Sequence, residues 1–441
     1  MSELKNHPTV QSLSTANPNR FHQVDEAWLR QLALDAGADD VGLISIERPE
    51  LDKERADILS VLPRTQTLLS FVCRMSRDPM RAPQRSIANV EFHHTGDEVN
   101  EVGRRIVHAC EQQGVRAVNI TMGFPMEADR WPNKMWVVSH KPIAVAAGLG
   151  QMGIHRNVIH PRFGNFILLG TVLLDIKIAE ESKPIDFNPC LSCKLCVAAC
   201  PTGAIAPDGH FDFLACYTHN YREFMGGFTD WVETIASSKK ASDYRNKVTD
   251  SETVSMWQSL SFGPNYKAAY CLAVCPAGEE VITPFLENRK EFLSDVLRPL
   301  QEKEETIYVM PDTDAESYVL RRFPHKKTRR VRNARRPDSI QGFLRTMPLS
   351  FQRGKSEGVD AVYHFTFTGK EKRAATIVIR EKKLQVQEGH IGTPDFRLTA
   401  DSETWLRFLA KETSLFWAIL RRKIKFKGSP KFFLAFGKCF P

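Results

Sequence analysis

Four cysteines in one short run set the strongest limit on what this chain can become. Residues 190–201 read Cys190-Leu-Ser-Cys193-Lys-Leu-Cys196-Val-Ala-Ala-Cys200-Pro201, a C-x2-C-x2-C-x3-C-P spacing. Two-residue gaps let a short loop curl three sulfurs around one cube of iron and sulfide. The fourth cysteine follows a longer step and points toward a different cluster. Pro201 ends the loop, because its ring fixes φ and removes a backbone donor. Zinc is the alternative for such thiolates, but zinc sites pair two C-x2-C knuckles across a wide gap. The run predicts a [4Fe–4S] site.

Partners for a second cluster lie downstream. Cys216 comes first, and Tyr270-Cys271-Leu-Ala-Val-Cys275-Pro276 closes a second Cys-Pro motif. The spacing predicts one complete set, Cys190, Cys193, Cys196 and Cys275, and one short set, Cys200, Cys216 and Cys271. A full second motif would carry a cysteine at position 268, where this chain has Ala268. The short set is expected to hold a [3Fe–4S] centre, or a [4Fe–4S] cube whose fourth iron takes another ligand. His219 and Tyr270 are candidates for that ligand, against a plainer reading of each as a packing residue. Cys73 and Cys110 fall on apolar stripes and read as small core residues.

The 441 residues suffice for two or three domains. A hydrophobic content of 42% and a charged content of 25% are ordinary for a soluble protein. No run reaches the roughly 18 apolar residues of a membrane span. Residues 1–22 form a polar tail without an apolar signal core. Thiolate-rich iron sites without an export signal place the expected location in the cytoplasm. The formal net charge of +8 is local in origin: residues 321–336 carry nine Lys and Arg and no acid, which leaves the remainder near −1. That cluster reads as a solvated basic linker, with an anionic membrane surface as its alternative partner. A specific nucleic-acid interface would spread charge along a face with interleaved aromatics, so none is expected.

Before the cysteines, segments of both periods alternate. Residues 25–37 predict an amphipathic helix capped by Asp25 and ended by Gly37, and 96–113 a second helix. Residues 40–46, 67–73 and 166–174 read as strands. The stretch His140-Lys141-Pro142 to Gly148-Leu-Gly150-Gln-Met-Gly153 contains a formal G-x-G-x-x-G. A dinucleotide fingerprint must open a helix directly after a strand. Here an apolar, helix-like segment precedes the glycines, and Pro161 and Gly164 follow too soon. The glycines instead suit a tight turn beside some other large cofactor.

Taken in order, His140-Lys141-Pro142, the glycines, Gly164, residues 166–175 and the two Cys-Pro motifs resemble epoxyqueuosine reductase and reductive-dehalogenase-like proteins over about residues 25–290. The resemblance implies an α+β chain. It comprises a nitroreductase-like corrinoid-binding domain (23–180) and a bacterial ferredoxin-like double-cluster module (181–290). It also implies cobalamin beside Gly148, Gly150 and Gly153, and a low-potential donor of ferredoxin or flavodoxin type. Epoxyqueuosine reductases carry an aspartate general acid where this chain has Ser139, and a hydroxyl is a poor proton donor beside a carboxylic acid. Reduction of epoxyqueuosine itself is therefore not expected, and His140 and Lys141 stand as catalytic candidates.

A helix and basic linker (291–338) leads to a last segment (339–441) that resembles a sterol-carrier-protein domain. This part implies an apolar ligand. The combined expectation is an iron–sulfur oxidoreductase, corrinoid-dependent, that reduces an apolar or lipid-like substrate. The alternatives are an electron-transfer or corrinoid-reactivating protein without its own substrate, and a lipid-binding redox sensor.

Overall fold

A computed structural model describes residues 7–9, 24–130, 134–186, 188–190, 192–332 and 336–441. Most of the polar tail and Arg335 of the basic cluster lie outside the described residues.

The first part is built on an antiparallel sheet of order β1-β2-β6-β3, from Asp40–Ser45, Thr67–Arg74, Ala117–Ile120 (β3) and Ile167–Leu174 (β6). Both of its faces are covered, and the strand period of two sorts the side chains between them. Leu69, Phe71 and Cys73 of β2 meet helix α1 (Glu26–Asp35) and helix α2 (Arg85–Gln112) in one core. Leu68 and Val72 meet Ile143, Ala144 and Ala147, on and just beyond helix α3 (His140–Ala146), in the other. Asp25 caps α1 by accepting from the Trp28 amide at 2.8 Å, and Gly37 ends it at a φ of +111°. Cys73 and Cys110 are core residues.

Helix α2 begins about three turns before the position that its apolar stripe indicates. Its early residues have partners far along the chain. Asn89 bonds Asn265 at 2.9 Å, His93 bonds the Pro264 carbonyl at 2.8 Å, and Phe92 packs on Tyr266. Contacts of that kind leave no local periodicity to read.

The second part surrounds the cysteines. Its helices are α4 (Leu195–Ala199), α5 (Phe213–Asn220), α6 (Gly226–Ala236), α7 (Asp250–Phe262) and α8 (Tyr270–Ala273). A parallel strand pair, β7 (Thr306–Val309) and β8 (Lys327–Arg330), is joined by helix α9 (Asp314–Arg322). Ile307, Val309, Ala315 and Val319 from this unit share a core with Leu195, Ala199, Ala273 and Val274. The expected basic linker is therefore corrected: residues 306–330 are a packed strand–helix–strand. Three of their charges are paired, Lys326 with Glu305 at 2.7 Å, Arg329 with Glu252, and Arg330 with Glu316 at 2.5 Å; Arg336 meets Glu233 at 3.1 Å.

The last part is a five-stranded sheet of order β11-β10-β9-β12-β13. Its strands are Ala361–Thr368 (β9), Arg373–Arg380 (β10), Lys383–Glu388 (β11), Phe396–Asp401 (β12) and Ile424–Gly428 (β13). Only β9 and β12 run parallel. The helices are α10 (Ile340–Ser350), α11 (Ser402–Leu409), α12 (Leu415–Leu420) and α13 (Pro430–Lys438). Tyr363, Phe365, Phe367, Phe396, Trp405 and Phe436 fill the core between sheet and helices. Among the described residues, no helix is long and apolar enough to cross a membrane.

Candidate iron–sulfur centre

Two copies of one turn make the centre. Lys194 adopts a left-handed φ of 50° just before α4, and Ala269 adopts 57° just before α8. Each short helix then runs out into Cys-Pro, and the two pack against each other. The second Cys-Pro turn is tied to the first part of the chain. Glu279 N donates to the Pro161 carbonyl at 2.9 Å and Glu280 N to that of Arg162 at 3.1 Å. A Cβ on Gly164 would overlap the Ala277 carbonyl, and at a φ of +65° only glycine avoids strain.

Cys190, Cys193, Cys196 and Cys275 line one small pocket together with Ile154, His155, Pro189 and Lys194. The Ile154 amide donates to Cys190 Sγ at 3.4 Å. Cys200, Cys216 and Cys271 form a second group, each close enough to the next to oppose its ionisation. Burial, then the neighbouring thiolates, pushes the Cys196 and Cys216 thiols well up. Cys271 and Cys275 are raised to about 12, burial again coming first. Thiolates crowded in this way need metal cations to balance them. Among the described residues, no three His, Cys, Asp or Glu groups converge tightly enough for a single ion. The chemistry of the donors, seven thiols in a group of four and a group of three, fits iron–sulfur clusters.

Lys141 stands beside the group of three. Its ammonium donates to the Arg156 carbonyl at 2.6 Å and to Asn157 Oδ1 at 3.2 Å, and its charge acts on Cys271 and Cys216. The residue keeps solvent access although protein surrounds most of it, so water screens the burial that lowers its pKa. His140 is placed differently. Nε2 meets the Thr121 carbonyl at 2.9 Å and Nδ1 meets Thr171 Oγ1 at 2.9 Å, and burial lowers its pKa. A carbonyl can only accept, so Nε2 carries the proton and Nδ1 accepts from the threonine. Both His140 ring nitrogens are engaged within the chain. Ser139 Oγ accepts from Trp136 Nε1 at 2.9 Å.

The expected fourth ligands have other partners. Tyr270 donates to Glu305 Oε2 at 2.6 Å, and His219 Nδ1 accepts from the Tyr308 amide at 3.3 Å. Burial lowers the His219 pKa to about 4, with Glu305 opposing. Tyr270 is thus engaged by Glu305, while His219, 2% exposed, keeps an Nε2 with no hydrogen-bond partner among the described residues.

The three glycines assigned to a corrinoid have the chain on their Cβ side. A Cβ on Gly148 would overlap the Lys183 carbonyl, and one on Gly150 the Ile159 carbonyl. On Gly153 it would lie 2.6 Å from His155 Cε1. The chain's own packing is enough to require glycine at Gly148 and Gly150. Beside Cys216 and Cys271 stands Tyr221, in an aromatic layer with Phe224 and Tyr266.

Sequence reasoning missed His155, which lines the four-cysteine cavity and is 3% exposed. Its Nδ1 accepts from the Asn157 amide at 3.1 Å, and its Nε2 has no hydrogen-bond partner. The sequence carried no signal for it beyond a histidine near glycines. The Tyr217, Tyr221 and Phe224 spacing was visible, but it fits any packed helix equally.

A ferredoxin-type double cysteine motif, set between an α+β sheet domain and a separate lipid-carrier-like domain, defines an iron–sulfur protein with an appended carrier fold. Residues 183–206 match the 4Fe-4S binding domain model and residues 347–441 the SCP-2 sterol transfer family. The chain is 27% identical over 122 residues to epoxyqueuosine reductase of Bacillus cereus, covering 25% of this chain and 32% of that one. It is 33% identical over 89 residues to that of Vibrio cholerae, covering 20% and 24%. A solved catabolic reductive dehalogenase is 16% identical with a TM-score of 0.38, covering 62% of this chain and 34% of that one. The alignments span about a third or less of these curated relatives' length. The chain thus joins a part similar to epoxyqueuosine reductases to an SCP-2 domain.

Proposed function

We propose that this chain is an iron–sulfur reductase that passes electrons from a low-potential donor, through two clusters, to an apolar substrate associated with its C-terminal domain. The observation that carries the reading is the sorting of seven cysteines into a group of four and a group of three around two packed turns. Cys190, Cys193, Cys196 and Cys275 would hold one [4Fe–4S] cluster, and Cys200, Cys216 and Cys271 a [3Fe–4S] or ligand-short [4Fe–4S] cluster. When bound, such clusters supply single-electron transfer at potentials tuned by charge, hydrogen bonds and solvent access.

The chain's residues set those terms. Ile154 N donates to a ligand sulfur of the first group, and the Lys141 ammonium faces the second. Tyr221, packed with Phe224 and Tyr266, is near enough to Cys216 and Cys271 to feel their charge. The curated relatives are epoxyqueuosine reductases, but the general-acid position here is Ser139, so a different substrate is proposed. No step is routed through a corrinoid, because the glycines assigned to it pack against the chain.

Metal analysis with EPR on anaerobically purified protein tests the reading. Iron for both clusters, with substrate-dependent oxidation of the reduced clusters by an apolar acceptor, is the expected result. Iron confined to one cluster would overturn the two-cluster assignment. One cobalt per chain with a base-off Co(II) signal would restore the corrinoid.

A further inference from the structure

Helix α12, Leu415–Leu420, presents an apolar surface that nothing among the described residues covers. Of its six residues only Ala418 is buried, while Phe416 is 68% exposed, Trp417 53% and Leu420 60%. Nearby in sequence, Leu434 on α13 is 65% exposed. Isolated exposed apolar residues need no explanation, but several on one short helix do.

The chain that follows this helix is strongly basic. From residue 413 to the end there are seven Lys and Arg and no acid. Arg421, Arg422 and Lys423 are bonded to the helix end through their amides, to the carbonyls of Trp417, Ile419 and Ala418. Lys425 and Lys427 follow on the edge strand β13. Among the described residues, Lys423 is the one of the seven that meets a carboxylate, Asp401 at 3.7 Å. Residues 321–336 show the contrast: there Lys326, Arg329, Arg330 and Arg336 are consumed by internal carboxylates.

We propose that α12 and the basic turn after it seat on an anionic lipid surface, with Phe416, Trp417 and Leu420 in the acyl boundary and Arg421, Arg422 and Lys425 on the headgroups. Surface-lying segments combine Trp, Phe and Leu with a Lys- and Arg-rich flank in this way. A second copy of the chain is disfavoured, because two such patches repel. Nucleic acid would use the cations and aromatic faces but leave Ile419, Leu420 and Leu434 in water. The site is distinct from residues 321–336 and independent of the redox reading.

The test uses the full chain with its clusters in sedimentation with vesicles of phosphatidylglycerol and phosphatidylcholine, or of phosphatidylcholine alone. Binding is expected on the anionic vesicles only, weakening with salt, with a blue shift of tryptophan emission. F416S/W417S/L420S should abolish it while the cluster absorption stays unchanged. R421Q/R422Q/K425Q should weaken it roughly fivefold per charge removed, whereas R321Q/R322Q should leave it intact. The proposal fails if the wild type stays in the supernatant with anionic vesicles at low ionic strength, or if the apolar variant binds as well as wild type. It also fails if the patch instead drives dimer formation, or holds a stem-loop RNA that anionic vesicles do not displace.

Discussion

Cys193 and Ala268 occupy equivalent places in two copies of the same turn. Each is followed by a left-handed residue, Lys194 at φ 50° and Ala269 at φ 57°, and then by a short helix that ends in Cys-Pro. Ala268 is buried among the residues around the cysteines, its amide held by Asn220 Oδ1 at 2.9 Å. The second turn is thus built like the first and lacks only the sulfur. Ala268→Cys should add one iron per chain and remove the EPR signal of an oxidised three-iron centre. Cys193→Ser should instead lose the cluster of the four-cysteine group. Iron content and spectrum of A268C that match wild type would rule out the ligand sets proposed here.

Lys141 places a positive charge beside Cys216 and Cys271. A nearby cation favours the reduced, more negative form of a cluster. Lys141→Met should lower the potential of the three-cysteine cluster by roughly 60 mV, the value of a tenfold change for one electron. The four-cysteine cluster should move less. An EPR-monitored redox titration separates the two, and equal shifts would place Lys141 elsewhere.

Gly150 and Gly148 are required by the chain's own carbonyls. Gly150→Ala should cost about 2 kcal/mol or more through overlap and backbone strain. Denaturant unfolding of cluster-loaded protein measures it. Full stability in that variant, with loss of bound cobalamin alone, would return these glycines to the cofactor.

Tyr270 and Lys326 converge on Glu305, at 2.6 and 2.7 Å, and tie the residue before Cys271 to the strand–helix–strand unit. Burial raises the Glu305 pKa, yet His219, Lys326 and Tyr270 outweigh it and hold the carboxyl below its usual value. Lys326→Met leaves Glu305 with Tyr270 and the longer Lys303 ion pair at 3.6 Å and should cost about 1.5–3 kcal/mol. Tyr270→Phe should cost about 1–2 kcal/mol. A neutral result for K326M would mean that this segment is the solvated linker its composition indicates.

Asp212 caps α5 by accepting from the Ala215 amide at 2.9 Å, and burial raises its pKa to about 6 from 3.8. The folded state therefore holds this proton more tightly than the unfolded chain does. Its contribution to stability is complete below pH 4 and is lost as pH rises through about 6. Partial exposure reduces the effect to about 1 kcal/mol. Asp212→Asn keeps the cap and should flatten the fall in melting temperature between about pH 4 and 6. An unchanged slope would assign that fall to another group.

Much of the centre was legible in the sequence. Cluster ligation depends on sulfurs a few residues apart, so the Cys190–Cys200 run and the Cys271–Cys275 pair carry their geometry locally. The helix capped by Asp25 and the strands at 40–45, 67–74 and 167–174 were legible for the same reason: period and capping are short-range properties. Other features depend on partners tens to hundreds of residues away. The start of α2 rests on Asn265 and Tyr266, the glycine faces on Lys183, Ile159 and His155, and the freedom of each basic residue on whether a carboxylate folds to meet it. Composition made residues 321–336 read as a solvated linker; only the tertiary structure showed Lys326, Arg329 and Arg330 meeting carboxylates, and Phe416, Trp417 and Leu420 left exposed. The reason is that charge is free only where packing supplies no counter-charge, and an apolar side chain is core only where something covers it.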